Sequence, residues 1–177
     1  MPSLSTLFKP LTAARENRLY CARYVENHPE SLNELFELAH IPHANREHIY
    51  AAWVWELYIL NDLSRYWPFF DLSIQSLMKI QNSSMRRAHS KTLWNFLKNK
   101  TNQNSLTKTQ KEGVISICLD WIITEDKAAP LNFCIRTLLL FKKEFPEIQT
   151  HLSDLLLHSN RKFPVGIYPV IRSVFKN

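Results

Sequence analysis

The chain has only two glycines in 177 residues, Gly113 and Gly166. Phosphate-cradling loops and dinucleotide fingerprints need several, because the backbone must approach a phosphate where a Cβ would intrude. ATP-loop and Rossmann chemistry are therefore excluded. Cysteine is scarce as well: Cys21, Cys118 and Cys134 are odd in number and each falls inside a helical pattern, which suits buried reduced thiols better than a disulfide framework. No apolar run reaches the roughly 20 residues that span a bilayer; the richest one, Ile49 to Leu60, is shorter and carries Glu56. The opening segment, Met1 to Pro10, has neither the basic start nor the long apolar core of a signal peptide. A cytoplasmic location away from membranes is expected. No segment shows the period-two alternation or paired turn residues of a sheet protein.

What the chain does have is helical periodicity. With 45% hydrophobic residues it can bury a sizeable core. In Ile49 to Leu60, Ile49, Trp53, Leu57 and Leu60 form one stripe and Tyr50, Val54 and Tyr58 another, so this helix is greasy on most sides and must be covered by neighbours. Around it the pattern predicts helices over Ala13–His28, Leu32–His40 (Ser31 as N-cap, Glu34 completing a capping box), Pro42–Leu60 and a segment after Asn61-Asp62 with Pro68 in its first turn. Further helices follow over Met85–Lys98, Gln110–Thr124, Pro130–Phe145, Pro146–His158 and Pro164–Phe175. The polar run Asn99–Thr107 reads as the longest loop. The expectation is an all-α chain of eight to nine antiparallel helices forming a single domain over 1–177.

The net charge of +6 is unevenly spread. Residues 1–80 hold 7 Lys/Arg against 9 Asp/Glu, and residues 81–177 hold 15 against 7. Between Asp71 and Glu112 there is no acid at all, although Lys79, Arg86, Arg87, Lys91, Lys98, Lys100, Lys108 and Lys111 fall there. A block of one sign points to an anionic partner, whether an acidic protein or a nucleic acid.

Lys91-Thr-Leu-Trp-Asn-Phe-Leu-Lys98 aligns with Arg136-Thr-Leu-Leu-Leu-Phe-Lys-Lys143 at an offset of 45, matching Thr92 with Thr137, Leu93 with Leu138 and Phe96 with Phe141. Residues 43–175 thus resemble a short array of HEAT or armadillo repeats, an α-α superhelix of stacked helix pairs, with residues 13–40 as an N-terminal capping pair. That resemblance implies an extended surface presented to a protein or nucleic-acid partner; no cofactor is expected, and binding rather than catalysis is the leading expectation. DNA glycosylases built of HEAT-like repeats are similar at the same level, through a basic helical groove with tryptophans. Their catalytic aspartate has no matching position here.

On the helix of residues 85–98, Arg87, Lys91, Trp94 and Lys98 share one face opposite Met85, His89, Thr92 and Phe96. In the aligned segment Arg136, Leu139 and Lys143 take the positions of Lys91, Trp94 and Lys98. Cations beside an aromatic suit phosphate contact with base stacking, or an acidic protein partner; the plainer alternative is a solvated outer face with Trp94 packed on a neighbour. Glu56, set among apolar residues, is the best candidate for a perturbed carboxylate unless Arg15, Arg18 or Arg23 pairs with it, and Asp120 has the same standing. Trp53 and Trp55 point to nearly opposite sides and read as core, as does Trp67-Pro-Phe-Phe70.

His40, His43, Glu47 and His48 supply zinc-ligand types without a zinc-site spacing, so no metal is assigned. His151 and His158 read as surface residues. Finally, Asn82-Ser-Ser-Met-Arg-Arg-Ala-His89 resembles the Ser-Ser-x-Met-Pro-x-Lys loop of the fumarase and adenylosuccinate lyase superfamily, departing at its proline and lysine; it implies a lyase-like enzyme as a remote alternative. The leading expectation is a non-enzymatic, protein-binding module whose contacts are Arg87, Lys91, Trp94, Lys98, Arg136 and Lys143, with nucleic-acid binding through the same face as the alternative.

Overall fold

In the computed structural model, which describes residues 3–10, 12–42 and 45–175, the described residues form eleven α-helices and no strand. Two compact units divide the chain, residues 1–92 and 93–177. The division falls inside a helix rather than at a linker. Among the described residues, no helix is long and apolar enough to cross a membrane.

The first unit is organised around α4 (Arg46–Asn61), against which α1 (Leu4–Phe8), α2 (Arg15–Asn27) and α3 (Leu32–Ala39) all pack. Its sequence is apolar on most sides for that reason, and Tyr50, Ala51, Ala52, Val54, Trp55, Glu56, Tyr58 and Ile59 are buried. Asn45, not Pro42, starts it: the Asn45 side chain accepts from the His48 amide at 3.1 Å, and His48 Nδ1 accepts from the Asn45 amide at 3.3 Å. This is a capping box with imidazole in the usual place of a carboxylate or amide. Trp55 is wholly buried in an aromatic cluster with Phe36, His40, Tyr58, Tyr66 and Phe69. Truncating such a residue typically costs about 3–5 kcal/mol.

Several predicted boundaries shift. Residues 4–8, read as a polar lead-in, form α1, buried through Leu4 and Phe8. Ser31 makes no side-chain cap; its hydroxyl donates to the His28 carbonyl, and Glu34 accepts from the Leu4 amide instead of from the cap. Pro68 lies inside a 3-10 turn, Leu63–Phe69, and α5 (Phe70–Leu77) follows. Next comes α6 (Ser83–Leu97), whose first amides at Ser84 and Met85 donate to the Asn82 side chain.

The second unit takes the end of α6 and continues with α7 (Lys100–Ser105), α8 (Lys108–Thr124), α9 (Ala128–Phe141), α10 (Glu147–Ser153) and α11 (Tyr168–Val174). The expected loop over 99–107 is corrected by α7. Asn99 caps it by accepting from the Thr101 amide, Asn102 donates to the Phe96 carbonyl, and Gln103 donates to the Leu140 carbonyl. These polar side chains are satisfied by backbone from elsewhere in the unit, so the segment orders without an apolar stripe.

Thr107 and Gln110 form a capping box at the start of α8. Residues 125–127 link α8 to α9, and the buried Glu125 side chain accepts from the Asp126 and Lys127 amides. Arg161 clamps the C-terminal end of α8, donating to the carbonyls of Ile122, Ile123 and Glu125 and to the Asp126 carboxylate. Three backbone carbonyls near the helix end and one carboxylate are thereby met by one guanidinium. The Ala128 end of α9 lies close to a 3-10 turn, Val165–Ile167, where a Cβ on Gly166 would stand 3.3 Å from that of Ala128. The segment 154–158 continues α10 as a π-helical turn. Cys118 and Cys134 are buried here, as Cys21 is in the first unit, and none of the three is in a disulfide.

Candidate functional site

Helix α2 explains where a site forms. Along the edge of its buried face, Cys21, Ala22 and Val25, α2 carries Arg15, Arg18, Leu19, Ala22, Arg23 and Glu26, with Arg15 and Arg23 exposed. Only the middle of that edge is greasy. The flanking arginines keep it open, and a cleft of about 440 Å³ results, walled by α2, α4 and α6. Its floor is Leu19, Ala22, Leu57 and Leu60, and its polar lining is Arg15, Arg18, Arg23, Arg87 and Lys91 with Glu26, Glu56 and Asn61.

Five cations thus face two carboxylates, and both carboxylates are already engaged. Glu56, with 3% of its side chain exposed, accepts from Arg87 Nη2 at 3.0 Å and from Lys91 Nζ at 2.7 Å. Glu26 accepts from Arg65 Nη1 at 2.7 Å and Asn61 Nδ2 at 2.6 Å. The Arg65 hydrogen bond holds the Glu26 carboxyl below its usual range, outweighing burial. Among the described residues, the side chains of Arg15, Arg18 and Arg23 have neither a hydrogen bond nor an ion pair. Arg18 is half-buried with its guanidinium carbon 5.3 Å from the centre of the Trp53 ring. Burial lowers its pKa, the Glu56 carboxylate counters this, and the Arg87 and Arg15 cations lower it further. The first unit therefore concentrates positive charge in a concave place with an apolar base. The cationic lining suits holding an anion.

The six residues expected to form one contact face divide between the units. In the first, Arg87 and Lys91 turn to Glu56 and form the wall of the cleft, whereas α2 had been the expected source of Glu56's partner. In the second, Trp94 is half-buried 5.8 Å from Phe133, with Lys98 Nζ 4.7 Å and the Arg136 guanidinium 5.5 Å from its ring centre. Both lie within cation–π range. Arg136 also donates to Asn132. Lys143 is exposed beyond the end of α9.

The rest of the acid-free segment is dispersed. Arg86 is buried and donates to the Ile80 carbonyl, Lys111 pairs with Glu144, and Lys79, Lys100 and Lys108 are exposed.

Other sequence candidates have structural work to do. His40 is buried, with Nδ1 donating to the Phe36 carbonyl at 2.8 Å and Nε2 sharing a 3.1 Å hydrogen bond with Ser73. Its ring lies 4.5 Å from that of His89, which donates through Nε2 to the Ala39 carbonyl at 2.8 Å. Burial depresses both imidazoles, His89 to about 4, and His40 is lowered further by the neighbouring His89. His48 serves the α4 cap, His43 lies outside the described residues, and no group of metal-ligating residues is found among the described ones. His151 and His158 are exposed, and Asp120 is half-buried on α8. The lyase-like segment 82–89 is the capped start of α6, with Met85 and His89 in the core.

Sequence reasoning named Arg15, Arg18 and Arg23 only as partners for Glu56. The signal that marks them as a wall is their helical spacing beside Leu19 and Ala22 at the edge of α2's buried face. No protein-family model, no curated protein and no solved structure matches this chain.

Proposed function

We propose that the chain is a non-enzymatic, HEAT-like interaction module whose first unit binds an acidic segment of a protein partner. One observation carries this: three arginines whose side chains form no ion pair line a concave cleft whose own carboxylates are both paired with other cations. Arginine's planar fork matches carboxylates and is held ready here by the helix scaffold. The leucine and alanine floor accommodates an apolar neighbour of the acidic residue. The repeat reading is supported by burial, since Thr92, Leu93 and Phe96 of α6 and their counterparts Thr137, Leu138 and Phe141 of α9 are all buried, as two copies of one repeating unit require.

A second reading, nucleic-acid binding, is favoured by a different feature, the Trp94 ring flanked by Lys98 and Arg136. Fluorescence anisotropy separates the two. A labelled Asp/Glu-rich peptide, duplex DNA, single-stranded DNA and RNA are titrated at about 50 and 200 mM salt, across which phosphate-backbone binding weakens steeply. The expected result is binding of the acidic peptide that is lost in Arg15→Glu/Arg18→Glu and kept in Lys98→Glu/Arg136→Glu. Nucleic-acid binding abolished by the second variant alone would replace this reading with the other.

A further inference from the structure

Resting on the proposed anion-binding role of the cleft, we infer that its ligand is a phosphorylated side chain of the partner protein, with an apolar group seated on the leucine floor. Charge is the first reason. The cleft holds five cations and two carboxylates, a surplus of three. A phosphomonoester brings about −1.5 to −2 charge at neutral pH, whereas a carboxylate brings only −1. The dianion comes closer to neutralising the site.

Geometry is the second reason. Arg15 and Arg18 stand one turn apart on α2, and Arg87 faces them from α6 across the same cleft. Three guanidiniums from two helices can each direct paired N–H donors at a tetrahedral group with three terminal oxygens, whereas a planar carboxylate has only two oxygens to offer. Glu56 makes the arrangement selective. Buried at the base and closed by Arg87 and Lys91, it occupies the inward-facing donors and repels an anion that enters deeply. The open donors are those toward α2. The phosphate is thus seated at the Arg15–Arg18 side, and the group that carries it lies along Leu19, Leu57 and Leu60.

The test uses the full chain and a labelled heptapeptide, Gly-Ala-Leu-X-Leu-Ala-Gly, with X as phosphotyrosine, glutamate or tyrosine, beside free phenyl phosphate as competitor. The phosphotyrosine peptide is expected to bind at least about tenfold tighter than the glutamate peptide, a ratio worth 1.4 kcal/mol. The tyrosine peptide should not bind. Arg18→Lys keeps the charge but loses the fork and should cut the phosphopeptide preference severalfold, and Arg15→Gln/Arg18→Gln should abolish it, with the far-UV circular dichroism of each variant matching wild type. Lys98→Gln should leave the preference intact. Equal affinity for phosphotyrosine and glutamate peptides would overturn the phosphate inference and leave the acidic-partner reading standing. Phenyl phosphate competing as strongly as the whole peptide would overturn the assignment to a partner's side chain in favour of a free organic phosphate. Binding by none of these probes, nor by the Asp/Glu-rich peptide, would sink both readings.

Discussion

Replacing Glu56 with glutamine tests stability and binding at once, because the two respond in opposite directions. The side chain is 3% exposed and its two oxygens each accept one charge-assisted hydrogen bond, from Arg87 and Lys91. Glutamine keeps the volume but removes the charge and leaves Arg87 and Lys91 facing each other and the α2 arginines. Breaking a fully buried pair costs about 3–5 kcal/mol. Here the cations are 31% and 34% exposed, so water screens part of the loss and about 2–3 kcal/mol is expected.

Urea denaturation followed by circular dichroism reads this as a lower midpoint, by about 1 M or more for a slope of 1–3 kcal/mol/M. Affinity for an acidic peptide should instead rise. For an assumed separation of about 7 Å and an effective dielectric constant near 40, removing one negative charge is worth roughly 1 kcal/mol, or about fivefold in Kd. A Glu56→Gln protein as stable as wild type, with unchanged peptide affinity, would refute both the desolvated pair and the placement of the ligand beside it.

Other perturbations probe the remaining framework. The His40–His89 pair is held neutral by burial, so its folded-state affinity for protons lies below that of the unfolded chain, near 6.5. Its contribution is complete above about pH 6.5 and declines as pH falls toward the folded value of about 4 for His89. Unfolding free energies from urea titrations at pH 7 and pH 4.5 should differ by roughly 2–3 kcal/mol for this residue alone, and His89→Asn should flatten the difference. Arg161→Ala should destabilise the second unit by about 1–3 kcal/mol by stripping donors from the end of α8, seen as faster proteolysis between residues 154 and 165 with the first unit unaffected. Asn99→Ala should cost about 1 kcal/mol through loss of the α7 cap, read as accelerated amide exchange over residues 100–105.

The helical class and the central place of α4 were legible because burial on most sides leaves a helix with two apolar stripes. What escaped was structure that depends on distant backbone. Residues 100–105 are Lys-Thr-Asn-Gln-Asn-Ser, with no apolar stripe to read, and they are ordered by Asn102 and Gln103 donating to the Phe96 and Leu140 carbonyls. α1 is five residues long, too short for a helical period to register. Glu56 could be recognised as a carboxylate needing a cation, but which helix would supply it could not: α2 and α6 both carry arginines at suitable spacing, and only packing chose α6. The face spanning Arg87 to Lys98 was visible as a pattern. Its division into a pair closing on Glu56 and a pair flanking Trp94 follows from which residues the neighbouring helices present.

The contact between Arg18 and the Trp53 ring gives the cleft an intrinsic optical reporter. Trp55 and Trp121 are sealed in the two cores, so their emission is insulated from solutes. Trp53 instead lies beneath the guanidinium expected to hold the ligand. An anion drawing that guanidinium toward itself changes the field across the indole, and the emission of unlabelled protein should shift as the cleft fills. Trp53→Phe should silence that response while preserving affinity, which turns one cation–π contact into a direct measure of occupancy.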